Sequence, residues 1–202
     1  MINIKVNGVT ELKQLSQLDG LGIDFAGLVF AGDSASLVTG KLKAADARKT
    51  DLDIKKVGVF NNPEIADVLA AIDDYGLDVV ELRGEEDPTL CEDLSTEVEV
   101  IKSFRIAGAN ADLDAMVGPY DAVCDYYLFV LSGAASDWKQ LKKSRIEKPF
   151  FLAGNFGVTD TEKLKSFQHP DFFGVEIDEQ FEKSSGVKDL VAVLQFKQGL
   201  KK

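Results

Sequence analysis

Ile2-Asn3-Ile4-Lys5-Val6-Asn7-Gly8-Val9 sets Ile2, Ile4 and Val6 on one face of an extended strand. The strand then runs into a polar residue followed by a glycine. A (β/α)8 barrel puts its first active-site side chain at that point, because its functional groups stand at the carboxyl ends of the strands. Asn7 is therefore the first candidate site residue.

Working outward, short apolar runs rich in β-branched residues alternate with amphipathic stretches along the chain. Candidate strands are Ile2–Val6, Phe25–Phe30, Lys56–Phe60, Val79–Leu82, Val98–Phe104, Ala122–Phe129, Pro149–Ala153 and Phe172–Ile177, eight in all. Between them, Glu64–Tyr75 repeats Ile65, Val68, Leu69 and Ile72 at three- and four-residue steps. Thr10–Leu18, Pro88–Glu97, Trp138–Lys143, Asp160–Phe167 and Val187–Phe196 also carry helical patterns, and the stretches after the second and fifth strands are less regular. Asn62-Pro63-Glu64 offers a cap and a proline for the first helical position, and Thr159-Asp160-Thr161-Glu162 offers a second capping signal. Strands separated by helices need crossover connections, so the sheet should be parallel. Eight such units over residues 1–202, with no linker or composition break, predict one α/β domain, a closed TIM barrel. An open doubly wound sheet is the alternative, since strand number does not fix closure.

Composition bounds the partners. The chain has 202 residues, 45% of them hydrophobic and 28% charged, enough for one substantial core in a soluble globular protein. A net charge of −11 without a basic run argues against nucleic acid or an anionic membrane as partner. Cys91 and Cys124 make no disulfide framework and read as buried thiols; with His169 as the single histidine, no metal site is expected. His169, beside Pro170, reads as a surface residue. The opening Met-Ile-Asn-Ile-Lys has no charged segment leading into an apolar one, and no apolar run is long enough to cross a bilayer, so a cytoplasmic protein is expected.

Six segments, in order, resemble the phosphoribosylanthranilate isomerase family of tryptophan biosynthesis. Val57-Gly58-Val59-Phe60-Asn61-Asn62 resembles its third strand, and Val79-Val80-Glu81-Leu82-Arg83-Gly84 its fourth-strand Val-Val-Gln-Leu-His-Gly. Cys124-Asp125-Tyr126-Tyr127-Leu128-Phe129-Val130 resembles the sixth strand and Asp137-Trp138 the start of the helix after it. Pro149-Phe150-Phe151-Leu152-Ala153-Gly154 resembles the seventh strand, and Gly186-Val187-Lys188-Asp189 the Gly-x-Lys-Asp before the last helix. The resemblance implies an aldose–ketose isomerase scaffold that takes a small phosphorylated sugar, without a cofactor, as a monomer or homodimer.

It also implies where the chemistry would sit. The family's Amadori rearrangement uses a cysteine base at the end of the first strand and an aspartate acid at the end of the sixth; these positions hold Asn7 and Val130. Neither an amide nor an isopropyl group exchanges a proton near neutral pH, and a positioned acid or base contributes about 10² to 10⁴ in rate. Gly32-Asp33-Ser34-Ala35-Ser36 stands where the family has Ser-Pro-Arg, so Ser36 takes the arginine position. The glycine-rich loop after the sixth strand is shortened to Leu131–Ala135. Gly154 is followed by Asn155 where the family has a second glycine, and Glu179 takes a serine-like position beside the expected phosphate. A degenerate barrel with a ligand-holding role is the leading expectation. The alternatives are an active isomerase with acid and base relocated to Asp33, Glu81 or Asp178, or a different enzyme on the same scaffold. Glu81, Arg83, Asp33, Asp178 and Glu179 are expected to ring the mouth, either as ligand-binding groups or as solvated rim charges with one or two ion pairs. Glu81 and Arg83 alternate along one strand, so they face the same side and could instead pair with neighbours across the sheet.

Overall fold

The computed structural model describes residues 1–31, 37–106 and 111–201. Eight parallel strands, β1 (Asn3–Val6), β2 (Phe25–Val29), β3 (Lys55–Phe60), β4 (Val79–Leu82), β5 (Glu99–Arg105), β6 (Tyr126–Val130), β7 (Phe150–Ala153) and β8 (Phe172–Ile177), pair in sequence order. β1 bonds to β2 on one side and to β8 on the other, so the sheet closes and the open alternative is excluded. The helices are α1 (Leu12–Gly20), α2 (Ala44–Lys49), α3 (Ile65–Tyr75), α4 (Pro88–Ser95), α5 (Leu113–Val117), α6 (Ala135–Lys143), α7 (Thr161–Ser166) and α8 (Leu190–Lys201).

Side-chain alternation along each strand divides the apolar residues between two cores. Ile4, Val6, Leu28, Val80, Leu82 and Tyr127 face outward and pack beneath the helices with Leu15, Val68, Leu94 and Phe196. Phe25, Val57, Val59, Val79, Ile101, Leu128, Phe151 and Ala153 fill the barrel. Phe25, Phe151 and Phe173 meet edge to face there, with ring centroids 5.2 Å apart for Phe25–Phe151 and for Phe151–Phe173. The adjacent tyrosines divide as alternation requires. Tyr126 joins the interior rings, whereas Tyr127 lies between barrel and helices with its hydroxyl donating to Asp121 at 2.7 Å.

Four local expectations change. The sixth strand begins at Tyr126, not Ala122, because Val123 and Cys124 donate their N–H groups to the Tyr120 carbonyl and close a turn first. Pro63 lies outside α3, whose cap is Glu64; Asn62 takes a positive φ of 46° and accepts the Glu85 N–H on its side-chain oxygen. Val187–Lys188 is the second arm of a short antiparallel hairpin, β10, paired with β9 (Glu182–Ser184) before α8. His169 is not a surface residue: its side chain is 5% exposed, its ring packs 4.9 Å from that of Phe150, and its Nδ1 accepts the Asp171 N–H. Cys91 and Cys124 are both buried, as expected. No described helix is long and apolar enough to cross a membrane.

Candidate active site at the barrel mouth

Asn7 follows β1 and precedes Gly8, whose φ of 73° is a left-handed conformation that glycine adopts without strain. The Asn7 side chain turns inward and is buried, and its Nδ2 donates to Asp178 Oδ2 at 2.9 Å. Its Oδ1 is also buried, with no hydrogen-bond partner. Space for that oxygen comes from Gly27 on β2: a Cβ there would fall 2.3 Å from Asn7 Oδ1. A glycine one strand away therefore sets the amide in place.

Below Asn7 lies a charge cluster that the sequence reading only half contained. The Cα of Lys5 is in register with that of Glu176, so the two side chains meet inside the barrel. Lys5 Nζ lies 2.5 Å from Glu176 Oε2 and 2.6 Å from Glu81 Oε2. Arg83 places Nε on Glu81 Oε1 and Nη2 on Glu176 Oε2 at 2.6 Å. Lys5 and Glu81 have no exposed side-chain surface, and Arg83 keeps 28%. Burial pushes the Glu81 carboxyl up, but Arg83 and Lys5 outweigh it and hold the group down at about 2. Burial works against the Arg83 cation, yet Glu176 and Glu81 together raise its pKa above the ordinary value. Two cations and two anions balance, so the cluster carries no net charge. Glu81 is therefore a buried structural ion and not a solvated rim charge, while the ion pairing that its alternation with Arg83 allowed is present.

Above the cluster opens a cavity of about 250 Å³ whose lining includes Asn7, Val59, Asn61, Arg83, Asp178 and Glu179. Asp178 just follows β8 and keeps 38% of its side chain exposed. Besides accepting from Asn7, it lies 3.6 Å from Lys188 Nζ, which is buried and bonded to Glu182 at 2.6 Å. Thr10 and Gln14 both donate to the Gly186 carbonyl, fastening the β9–β10 hairpin beside the mouth. Glu179 is exposed and does not pair with Arg83, whose two carboxylate partners lie inside the barrel.

Val130, at the end of β6, packs on the interior apolar cluster. Gly154 and Asn155 follow β7; Asn155 is exposed, and neither residue lines the Asn7 cavity. The loop after β6 is closed by Asp137, whose carboxylate accepts from Ser132 N at 2.7 Å and Ser132 Oγ at 2.8 Å. Asp33 and Ser36 lie outside the described residues. Among the described residues no group of three or more His, Cys, Asp or Glu is gathered as for a metal ion. Alternation signals Lys5 and Glu176 in the sequence, since they fall in step with Asn7 and Asp178, but charged residues on an otherwise apolar strand are easily taken for exposed ones.

The profile described as N-(5'-phosphoribosyl)anthranilate (PRA) isomerase matches residues 4–199. An isomerase of that name from Parabacteroides distasonis is 32% identical, over 96% of this chain and 90% of its own length. One from Phocaeicola vulgatus is 31% identical, over 98% of this chain and 97% of its own. The chain belongs to the phosphoribosylanthranilate isomerase family. Among solved structures of the family, that of Thermotoga maritima matches with a TM-score of 0.84 at 23% identity, over 100% of this chain and 99% of that one. Another phosphoribosyl anthranilate isomerase, in complex with reduced 1-(o-carboxyphenylamino)-1-deoxyribulose 5-phosphate, gives 0.84 at 24% identity over the same shares. At such identities the structures establish the shared fold.

Proposed function

We propose that this family member holds a small phosphorylated ligand at the barrel mouth but has lost the acid–base pair that isomerises phosphoribosylanthranilate. One observation carries the reading: at the two strand ends where the family resemblance puts the base and the acid, the chain presents the Asn7 amide and the Val130 isopropyl group. The reaction must take a proton from C2 of an aminosugar and give one to the ring oxygen, and neither group changes protonation state in the working range. The ion cluster does not supply the missing pair, because Glu81 is held ionised at about 2 by two cations. What remains suits binding: a cavity with an arginine edge, two asparagines, two carboxylates and apolar walls.

The test follows the fluorescence of phosphoribosylanthranilate with purified protein, beside rescue of a tryptophan auxotroph that lacks the isomerase. The expected result is no enzyme-dependent fluorescence loss and no rescue. Turnover at rates typical of enzymes, with rescue, overturns the reading.

A second reading, an isomerase that works through Asp178, is favoured by a specific geometry. The partly exposed Asp178 carboxylate accepts a hydrogen bond from the residue at the family's base position, within the same cavity. The full-length relatives also bear the isomerase name. Under this reading Asp178→Asn lowers turnover by about 10² or more; equal rates in variant and parent dismiss it.

A further inference from the structure

Arg83 faces two cavities. Besides the one at Asn7, it lines a space of about 350 Å³ at the carboxyl ends of β4 and β5, together with Gly84, Ser103, Arg105 and Tyr120. We propose that this second cavity is a subsite for the carboxylate or phosphate group of a small organic ligand, read by Arg83 and Arg105. The inference rests on the ligand-holding reading of the mouth and adds the chemistry of the group that is recognised.

Pre-orientation is the first support. The Arg83 guanidinium is clamped by Glu81 at Nε and by Glu176 at Nη2, and neither contact uses Nη1. A guanidinium held by two buried carboxylates loses little further rotamer freedom when its open edge takes an oxyanion. The second support is Arg105. It ends β5, is exposed, and its side chain makes no hydrogen bond or ion pair among the described residues. An unpaired arginine beside an anchored one presents two planar forks to the same space, the donor geometry that matches carboxylate and phosphate oxygens. Ser103, two residues before Arg105 on β5, adds a hydroxyl to the same lining.

The surrounding charges permit an anion. Lys5 and Arg83 are balanced by Glu81 and Glu176. Lys102, also on the lining, is balanced by Glu86 at 2.9 Å, and Tyr120 spends its hydroxyl on the Glu86 carbonyl. Glu85 is the opposing charge on the wall; it is exposed and free to extend into water. The volume lies within the range of small-molecule pockets.

The experiment titrates the uniformly 15N-labelled full chain with inorganic phosphate and, separately, with benzoate at constant ionic strength, in the parent, R105Q and R145Q. Arg105 and Arg145 are both exposed, and Arg145 lies in the connection leading into β7, at the other end of the barrel, so both variants should fold. The expected result is a saturable shift of the Gly84 and Ser103 amides, weakened about tenfold or more in R105Q and unchanged in R145Q. Saturation by phosphate alone assigns a phosphate subsite, and by benzoate alone a carboxylate subsite. The inference is overturned if neither anion moves those amides, or if R105Q binds as the parent does. Anion binding that persists in R105Q and shifts the amides around Asn7 overturns it while leaving the ligand-holding reading in place. That reading stands or falls separately, on the isomerase assay.

Discussion

Glu81→Gln should be among the most destabilising polar substitutions in this barrel, although it installs the residue found in the family's fourth-strand motif. Removing this one carboxylate leaves Lys5 and Arg83 with Glu176 as their shared anion, and the buried cluster gains an uncompensated positive charge. Two routes give the size of the effect. Breaking a buried ion pair by deleting one partner costs about 3–5 kcal/mol. The Glu81 carboxyl is held at about 2 against an ordinary 4.5, and at roughly 1.4 kcal/mol per pH unit that difference is about 3 kcal/mol. The sign follows from proton binding. Below about pH 4.5 the unfolded chain binds a proton that the folded chain refuses, so this stability is complete above about 4.5 and drains away as the pH falls to about 2. Urea unfolding followed through Trp138, the single tryptophan, should show E81Q about 3 kcal/mol less stable than the parent at pH 7, with the gap narrowing as the pH falls through that window. Lys5→Met alone should also be costly, but K5M with E81Q restores charge balance and should lose less than the sum of the two single variants. A parent-like stability of E81Q at pH 7, within about 0.5 kcal/mol, would refute the cluster as a structural ion network.

Gly27→Ala should destabilise the fold by roughly 1–3 kcal/mol and shift the Asn7 side-chain amide resonances, since its Cβ would stand 2.3 Å from Asn7 Oδ1 and 3.1 Å from Asn7 Cα; an unmoved amide signal would contradict the steric account. Asn7→Cys combined with Val130→Asp returns a titratable base and acid to the strand ends, and enzyme-dependent loss of phosphoribosylanthranilate fluorescence should rise by about 10² or more over the parent, with little gain from either change alone. Phe151→Ala empties the middle of the interior aromatic contacts, where Phe151 touches Phe25, Tyr126 and Phe173; thermal or urea unfolding should report a loss of about 3–5 kcal/mol.

Fold and site were legible to different depths for a physical reason. A strand buried on both faces must be apolar over several residues, so the positions of all eight strands could be read from local sequence. The end of one strand could not: the start of β6 moved to Tyr126 because a backbone turn on Tyr120 took the preceding N–H groups. The last helix, expected from Val187, starts at Leu190 for the same kind of reason, since Val187–Lys188 pairs with β9 and Lys188 is bound to Glu182 and set near Asp178.

At the mouth, the sequence by itself determined which chemical groups stand at the strand ends: an amide at Asn7, an isopropyl group at Val130, and carboxylates at Asp178 and Glu179. Alternation with a period of two fixes which side chains enter the barrel, and that is local information. Which of them meet is not local. Strand register placed Lys5 against Glu176, barrel closure brought Glu81 and Arg83 onto the same pair, and the missing side chain of Gly27 gave Asn7 its orientation. A buried charge is tolerated only where its counter-charges lie within a few ångströms. Those partners come from strands up to 171 residues apart in the chain, so only the closed barrel could decide that Glu81 is a structural ion and not a solvated rim residue.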